Sequence, residues 1–329
     1  MSKYLRIAVS ALLLSVIAWR TDFHVVAGRF ANLNVGLWLA AVGTLVVAML
    51  ASAKRWELFA RQLRFERNLL QYCAYYFIGM WFNLSLLTSV GGDVVRVWYL
   101  DGKSGRKLAA FASVFLERLN GLLVLIALAC VGVLISPIRL EWWISACVWG
   151  VAGCAFVGVV SLPIAQRWQG LPLQRRAQLR IMLDLSRIPR VMAGATLMSI
   201  LVQLCGVVCL WLIGLALGLE VPAAYYCILG PMVSLLTLLP ISVNGMGVRE
   251  QSTIVFLAPL QVDAESAATL AFLWFAVSVA ISLLGGAIYL FGAYPKAHAS
   301  TSAAKEDPRD RPVDRDSDQG REGQPSKAA

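Results

Sequence analysis

Long apolar runs separated by short charged connections make up most of the chain. About 20 apolar residues at about 1.5 Å rise each cross a hydrocarbon core. The pattern therefore predicts helices crossing a membrane at Ile7 to Trp19, Leu33 to Ala53, Lys107 to Ser136, Trp142 to Ser161, Val191 to Gly218 and Ser266 to Ala293. Two further apolar stretches do not run through. Leu69 to Val90 ends on Gly91 and Gly92 followed by charge, and Ala223 to Val243 carries Pro240 and leads through Asn244, Gly245 and Gly247 to Arg249 and Glu250. Glycine and proline interrupt helices, so each of these stretches is expected to dip in and turn back. The fold class expected is an all-α polytopic membrane protein with about 6–8 transmembrane helices, two segments re-entrant or broken, and an inverted repeat relating its halves.

Charge sets the expected orientation. The connection from Leu162 to Arg190 holds Arg167, Arg175, Arg176, Arg180, Arg187 and Arg190 against Asp184, which places it in the cytoplasm, and Lys3 and Arg6 place the N-terminus there too. Glu220, Asp263 and Glu265 mark connections on the other side. If Leu69 to Val90 returns to its own side, the basic stretch from Arg96 to Lys107 stays cytoplasmic. One broken segment then enters from inside and the other from outside, and their ends meet near the midplane. Lys54 to Arg67, with five basic residues and Trp56, Leu58, Phe59, Leu63 and Phe65, reads either as a helix lying along the cytoplasmic interface or as a plain basic connection. Gly150, Cys154 and Gly158 offer a small-residue strip for helix packing, as do Gly214 and Gly218. From Pro295 to Ala329 seven Lys/Arg and seven Asp/Glu among small polar residues give a solvated cytoplasmic tail, so the domain division is 1–294 membrane body and 295–329 tail.

Composition agrees. The 329 residues are 59% hydrophobic and 15% charged, with a mean hydropathy of +0.69, more apolar than a soluble domain can bury. The net charge of +10 lies between apolar runs, where membrane topology explains it, and no nucleic-acid partner is expected. The seven cysteines fall within apolar runs without a CxxC, and His24 and His298 lie in a connection and the tail, so neither disulfides nor a metal are expected. No phosphate-cradling nucleotide loop is present, no cofactor is implied, and ATP-driven transport by this chain is excluded.

The chemistry sits at the two breaks. An ionisable group at the bilayer centre costs about 2.5 to 3.5 kcal/mol on insertion scales, so such groups need partners, water or a ligand. Asp93, Arg96, Glu117 and Arg118 near the first break and Arg249 and Glu250 near the second are therefore candidates, with Asn83, Gly91, Gly92, Pro240, Asn244, Gly245 and Gly247 shaping the breaks. Arg96, Arg118 and Arg249 can hold a phosphate by paired hydrogen bonds, and Asp93, Glu117 and Glu250 can balance them in its absence. The competing reading is three structural ion pairs that fasten helices. Asn83, Asn120 and Asn244 either donate to phosphate oxygens or satisfy broken-helix carbonyls. The aromatic run Tyr72, Tyr75, Tyr76, Phe77, Trp81 and Phe82 either lines an acyl path or packs at an interface.

Three ordered motifs carry a resemblance: Asn83 with Gly91-Gly92-Asp93-x-x-Arg96, Glu117-Arg118-x-x-Gly121, and Leu239-Pro240-Ile241-Ser242-x-Asn244-Gly245-x-Gly247-x-Arg249-Glu250. On them the chain resembles the lysylphosphatidylglycerol synthase transmembrane-region family, also called the flippase-like domain family, over about Leu5 to Ala293. It departs at Leu87, where the family commonly has proline before the first break. The resemblance implies a stand-alone member without an aminoacyl-transfer domain, acting in translocation or transport of a lipid across the bacterial inner membrane. Its expected partners are membrane lipids, phospholipid or polyprenyl-phosphate-linked. The alternatives are a lipid-modifying membrane enzyme using Asp93 or Glu250 as base, and a non-catalytic membrane partner of such an enzyme.

Overall fold

The computed structural model describes residues 33–86, 91–102, 104–136, 139–167, 173–239 and 242–292, with side chains of 163–179 left aside. The expected helix at Ile7 to Trp19 and the tail from Pro295 lie outside these residues. Ten α-helices and no strand occur among the described residues: α1 (Val35–Gln62), α2 (Leu69–Ser85), α3 (Gly91–Asp101), α4 (Lys107–Ile135), α5 (Trp142–Arg167), α6 (Leu173–Ser186), α7 (Pro189–Ala216), α8 (Tyr226–Leu238), α9 (Val248–Leu257) and α10 (Ala264–Phe291). Five are long and apolar enough to cross a membrane: α1, α4, the Trp142–Leu162 part of α5, α7 and α10. With the short apolar α8 beside them, they make a multi-pass membrane protein.

Local chemistry fixes the helix ends. Asn34, Asn68 and Asp263 each accept from a backbone N–H three residues on, and Gln71 reaches back to the Asn68 N–H at 3.2 Å to complete a capping box. Pro189 opens α7, and Gly218 at φ +69° follows its end.

α1 and α7 run antiparallel at the centre. The Asn34 N–H donates to the Ala216 carbonyl at 3.3 Å at one end, while towards the other Gly194 leaves only 3.2 Å between an added methyl and Leu58 Cδ1. The segment from Lys54 is neither an interfacial helix nor a loop: α1 continues through it to Gln62 and buries Arg55, Trp56, Glu57, Phe59 and Ala60. Ala48, Ser52, Arg55 and Phe59 recur at helical spacing on the buried stripe, so the apolar contacts of this helix carry its charges inward.

Each broken segment is a helical hairpin. In the first, Tyr75 of α2 stacks on Tyr99 of α3 with ring centroids 4.9 Å apart, and nearer the tip the Asn83 side chain accepts from the Gly92 N–H at 2.6 Å. α2 and α3 approach so closely that a Cβ on Gly92 would collide with the Gly79 carbonyl, which is why glycine stands there. The open end of this hairpin lies beside the C-terminus of α1, where the Arg106 guanidinium donates to the carbonyls of Leu63 at 2.5 Å and Arg64 at 3.4 Å. In the second, the Tyr225 hydroxyl donates to the Phe256 carbonyl, and at the tip Asn244, Gly245 and Gly247 take φ of 50°, 77° and 80°. This hairpin opens beside the C-terminus of α7. Because α1 and α7 are antiparallel, the two hairpins enter from opposite ends, the arrangement an inverted repeat requires. Exchanging α1 with α7, α2 with α8, α3 with α9 and α4 with α10 carries the touching helix pairs into one another: α2 packs on α10 as α8 packs on α4, and α3 meets α4 as α9 meets α10.

Two expectations about small residues change. Gly150 and Gly158 have nothing within reach of an added methyl, and Cys154 is exposed, so that strip packs on no other helix among the described residues. Gly214 does pack, since a methyl there would collide with the Tyr226 hydroxyl, whereas Gly218 serves as a helix stop. Residues 87–90 and 240–241, with Leu87 and Pro240, lie outside the described residues. The cysteines of the described residues are unpaired.

Candidate functional site

Two polar constellations form where the hairpins meet the long helices. The first is built around Glu117 of α4, which is fully buried. Its Oε1 accepts from Arg55 Nε at 3.1 Å and from Arg55 Nη2, and its Oε2 accepts from both Arg96 terminal nitrogens at 3.2 Å. Arg96 comes from α3 and is clamped between Trp56 and Tyr76, with its guanidinium carbon 4.3 and 4.2 Å from the two ring centroids. Trp56 is held in turn by its indole N–H, which donates to Ser113 Oγ at 3.1 Å. Arg55 also donates to Ser199 Oγ at 2.7 Å; that hydroxyl donates to Asn120 Oδ1 at 2.6 Å, and the Asn120 amide donates to Thr196 at 3.2 Å. Helices α1, α3, α4 and α7 are thus tied through one carboxylate. Such a network is rigid because each buried group that lost its partner would keep its desolvation cost.

Asp93 sits at the edge of this cluster. Its Oδ1 accepts from Arg96 at 3.3 Å and from Arg118 Nη2 at 2.8 Å. Arg118 is 44% exposed, unlike Arg55 and Arg96, and borders a cavity of about 310 Å³ between α3 and α4 and another of about 370 Å³ that reaches Arg55, Gln203 and Leu238.

The second constellation lies where the hairpin tips meet. A cavity of about 190 Å³ is lined by Asn83 and Leu84 of the first hairpin, Asn244 and Arg249 of the second, and Phe275, Ser278 and Ser282 of α10. Ser278 stands half-way along α10, so the cavity lies at mid-depth of the bundle. Arg249 has no carboxylate within ion-pair distance among the described residues, and its buried Nη1 has no hydrogen-bond partner there. Its guanidinium carbon lies 5.0 Å from the Phe275 ring centroid and 5.7 Å from that of Trp274. The expected pairing with Glu250 does not occur. Adjacent helical residues point about 100° apart, and Glu250 Oε2 instead accepts from the Gly247 N–H at 2.6 Å, closing the start of α9.

The residues singled out from the sequence therefore divide. Asp93, Arg96, Glu117 and Arg118 converge on one network; Asn83, Asn244 and Arg249 face one cavity; Gly245 and Gly247 form its turn; Gly91 starts α3; Pro240 is outside the described residues. Asn120 serves the Arg55 network, with no broken-helix carbonyl as its partner. The aromatic run is mainly interior packing: Tyr72, Tyr75, Tyr76 and Phe77 are buried, and Trp81 fits against Gly286. Arg55 and Ser199 were not singled out from the sequence. The signal was the place of Arg55 within the buried periodicity of α1. Among the described residues no group of His, Cys, Asp and Glu could hold a metal.

No curated protein and no solved structure matches the chain. The sequence profile of the lysylphosphatidylglycerol synthase TM region matches residues 4–286, which takes in every helix described above except the last turn or so of α10. The chain belongs to the lysylphosphatidylglycerol synthase TM region family.

Proposed function

We propose that this membrane protein translocates the headgroup of an anionic lipid, bound at the meeting point of the two hairpin tips. The observation that carries the reading is the environment of Arg249. In the first half the hairpin arginine, Arg96, is neutralised by Glu117 from the following long helix. In the second half the hairpin arginine faces Phe275, Trp274 and Ser278 of the following long helix and has no acidic partner among the described residues. An arginine of this kind is completed by an anion from outside, and a phosphate accepts two parallel hydrogen bonds from a guanidinium. Asn83, Asn244, Ser278 and Ser282 supply further polar groups around the same space. The cavity is small beside the about 300–1,000 Å³ of sites that engulf a drug-sized ligand, which suits a headgroup fragment whose chains remain in the bilayer.

The basic residues Arg64, Arg67, Arg106, Arg187 and Arg190 lie at one end of the bundle and Glu220, Asp263 and Glu265 at the other, which supports a cytoplasmic assignment for the first end and for the C-terminus in a bacterial inner membrane. An enzyme reading has weaker support, because Glu250 is engaged by a backbone N–H and Asp93 by two arginines.

The test uses vesicles of phosphatidylglycerol with a trace of tail-labelled fluorescent phosphatidylglycerol and a membrane-impermeant quencher. With the purified protein reconstituted, the inner-leaflet label becomes accessible and the lipid is chemically unchanged on chromatography. Arg249→Ala protein, inserted and monodisperse, leaves that label protected. Conversion of the lipid, or equal movement by the variant, overturns the proposal.

A further inference from the structure

The half-exposed Arg118 points to a separate lipid station. The cavity between α3 and α4 is walled by Val94, Val97, Phe111, Val114 and Phe115, and its polar wall is the Asp93–Arg118 pair. Val94, Phe111 and Phe115 turn outward from the bundle, so the groove is open on its flank to whatever surrounds the protein. Arg118 lies about 16 Å along α4 from Lys107 at a rise of about 1.5 Å per residue, about half the thickness of a hydrocarbon core. At that depth a half-exposed guanidinium is too far from the headgroup layer to snorkel, and it needs negative charge beside it.

The negative charge present is insufficient. Arg55, Arg96 and Arg118 form one connected cluster with Glu117 and Asp93, three guanidiniums against two carboxylates. Glu117 is fully engaged by Arg55 and Arg96, and Asp93 is shared between Arg96 and Arg118. One positive charge of the cluster is left over, and Arg118 is the one guanidinium of the three that faces out. The occupant complementary to an apolar groove ending in a surplus cation is an amphiphile with an anionic head.

We infer that the α3–α4 groove is a binding site for an anionic phospholipid, with an acyl chain along Val97, Phe111 and Phe115 and the phosphate on Arg118. The inference rests on the proposed lipid role only for the source of the anion. Asp93 competes with the phosphate for Arg118, so the pair opens as the lipid docks. The same Arg118 borders the cavity that reaches Arg55 and Gln203, so a headgroup on it stands between the flank of the protein and its interior. Asn83 caps the helix that begins two residues before Asp93 and also lines the tip cavity, which places this station and the Arg249 station on two sides of one hairpin tip.

The experiment is native mass spectrometry of the detergent-purified full chain titrated with phosphatidylglycerol, and with phosphatidylcholine as the zwitterionic control. The wild-type protein retains phosphatidylglycerol in preference to phosphatidylcholine. Arg118→Gln weakens one bound phosphatidylglycerol at least tenfold, Val97→Trp does the same by filling the groove with the arginine intact, and Asp93→Asn tightens it by freeing Arg118. Arg249→Gln leaves this binding event in place. Unchanged phosphatidylglycerol binding in both Arg118→Gln and Val97→Trp overturns the site, as does equal retention of the two lipids. Vesicle assays separate this from the broader reading: lipid binding that depends on Arg118 without movement in vesicles keeps the site and removes translocation, whereas movement with binding insensitive to Arg118 and Val97 does the reverse.

Discussion

Replacing Arg249 with Gln should abolish lipid movement without lowering the stability of the empty protein. Arg249 contributes a contact to Phe275 at 5.0 Å and a longer one to Trp274 at 5.7 Å, and a cation over an aromatic face is worth about 0.5 to 2 kcal/mol. Against this stands a buried Nη1 without an acceptor and a guanidinium without a carboxylate among the described residues, where the effective desolvation penalty is several kcal/mol per ion. The penalty exceeds the gain, so the neutral variant should unfold at the same temperature as the wild type or higher in neutral detergent. Added anionic lipid reverses the order. A ligand at about 100 times its dissociation constant stabilises the folded state by about 2.7 kcal/mol, so phosphatidylglycerol should raise the melting midpoint of the wild type and do so less for the variant, by the share of this site. The assay is thermal unfolding by intrinsic fluorescence with and without that lipid, alongside the vesicle measurement. A variant that melts well below the wild type without lipid would show that Arg249 is a structural strut and refute the reasoning.

Glu117→Gln should behave in the opposite way, losing about 3 to 5 kcal/mol because buried Arg55 loses its carboxylate and Arg96 keeps only the 3.3 Å contact to Asp93, read as a lowered melting midpoint in neutral detergent. Gly285→Ala should separate α10 from α2, since the new methyl would collide with the Phe77 carbonyl; a cost of about 1 to 3 kcal/mol is expected, measured as reduced monodisperse yield and melting temperature. Asn83→Ala removes the acceptor of the Gly92 N–H and one wall of the tip cavity, costing about 1 kcal/mol of stability and a larger fraction of transport rate, so the two readouts should separate. Single cysteines at Arg106 and Arg190, in a background without the seven native cysteines, should resist an impermeant thiol reagent on intact spheroplasts, whereas those at Glu220 and Asp263 should react; labelling of 106 with protection of 190 would dismantle the first hairpin.

The fold was legible because its governing signals are local. Gly245 and Gly247 form the turn of the second hairpin, Gly91 and Gly92 start the returning helix of the first, and the basic and acidic connections alternate with the helices, so two hairpins opening at opposite ends could be read from breaks and charge. The extent of α1 was not legible by the same reasoning. A cluster of arginines after an apolar run is the ordinary mark of a membrane exit, and that expectation outweighed the periodicity of Ala48, Ser52, Arg55 and Phe59, which continues the buried face into the charged stretch.

The candidate residues could be picked out in the sequence, and their partners could not. Arg96, Arg118 and Arg249 look equivalent in the sequence, each beside a carboxylate within three positions, yet in the fold they occupy three different electrostatic states. Arg96 is closed off by Glu117, 21 residues away, and by two aromatic rings; Arg118 shares Asp93 and remains half-exposed; Arg249 is turned from its neighbour Glu250 by helical geometry and meets aromatic rings and serines. Long-range pairing decides these states, and the decisive member is Arg55, which lies 62 residues before Glu117 and occupies its other oxygen. Without Arg55 the Glu117 carboxylate would have spare capacity and the cluster would hold two guanidiniums against two carboxylates. With Arg55 in place that capacity is spent, and the surplus positive charge of the cluster is displaced outward to Arg118. A buried arginine that does not line the groove between α3 and α4 thus sets the charge balance that leaves Arg118 as the exposed cation of the cluster.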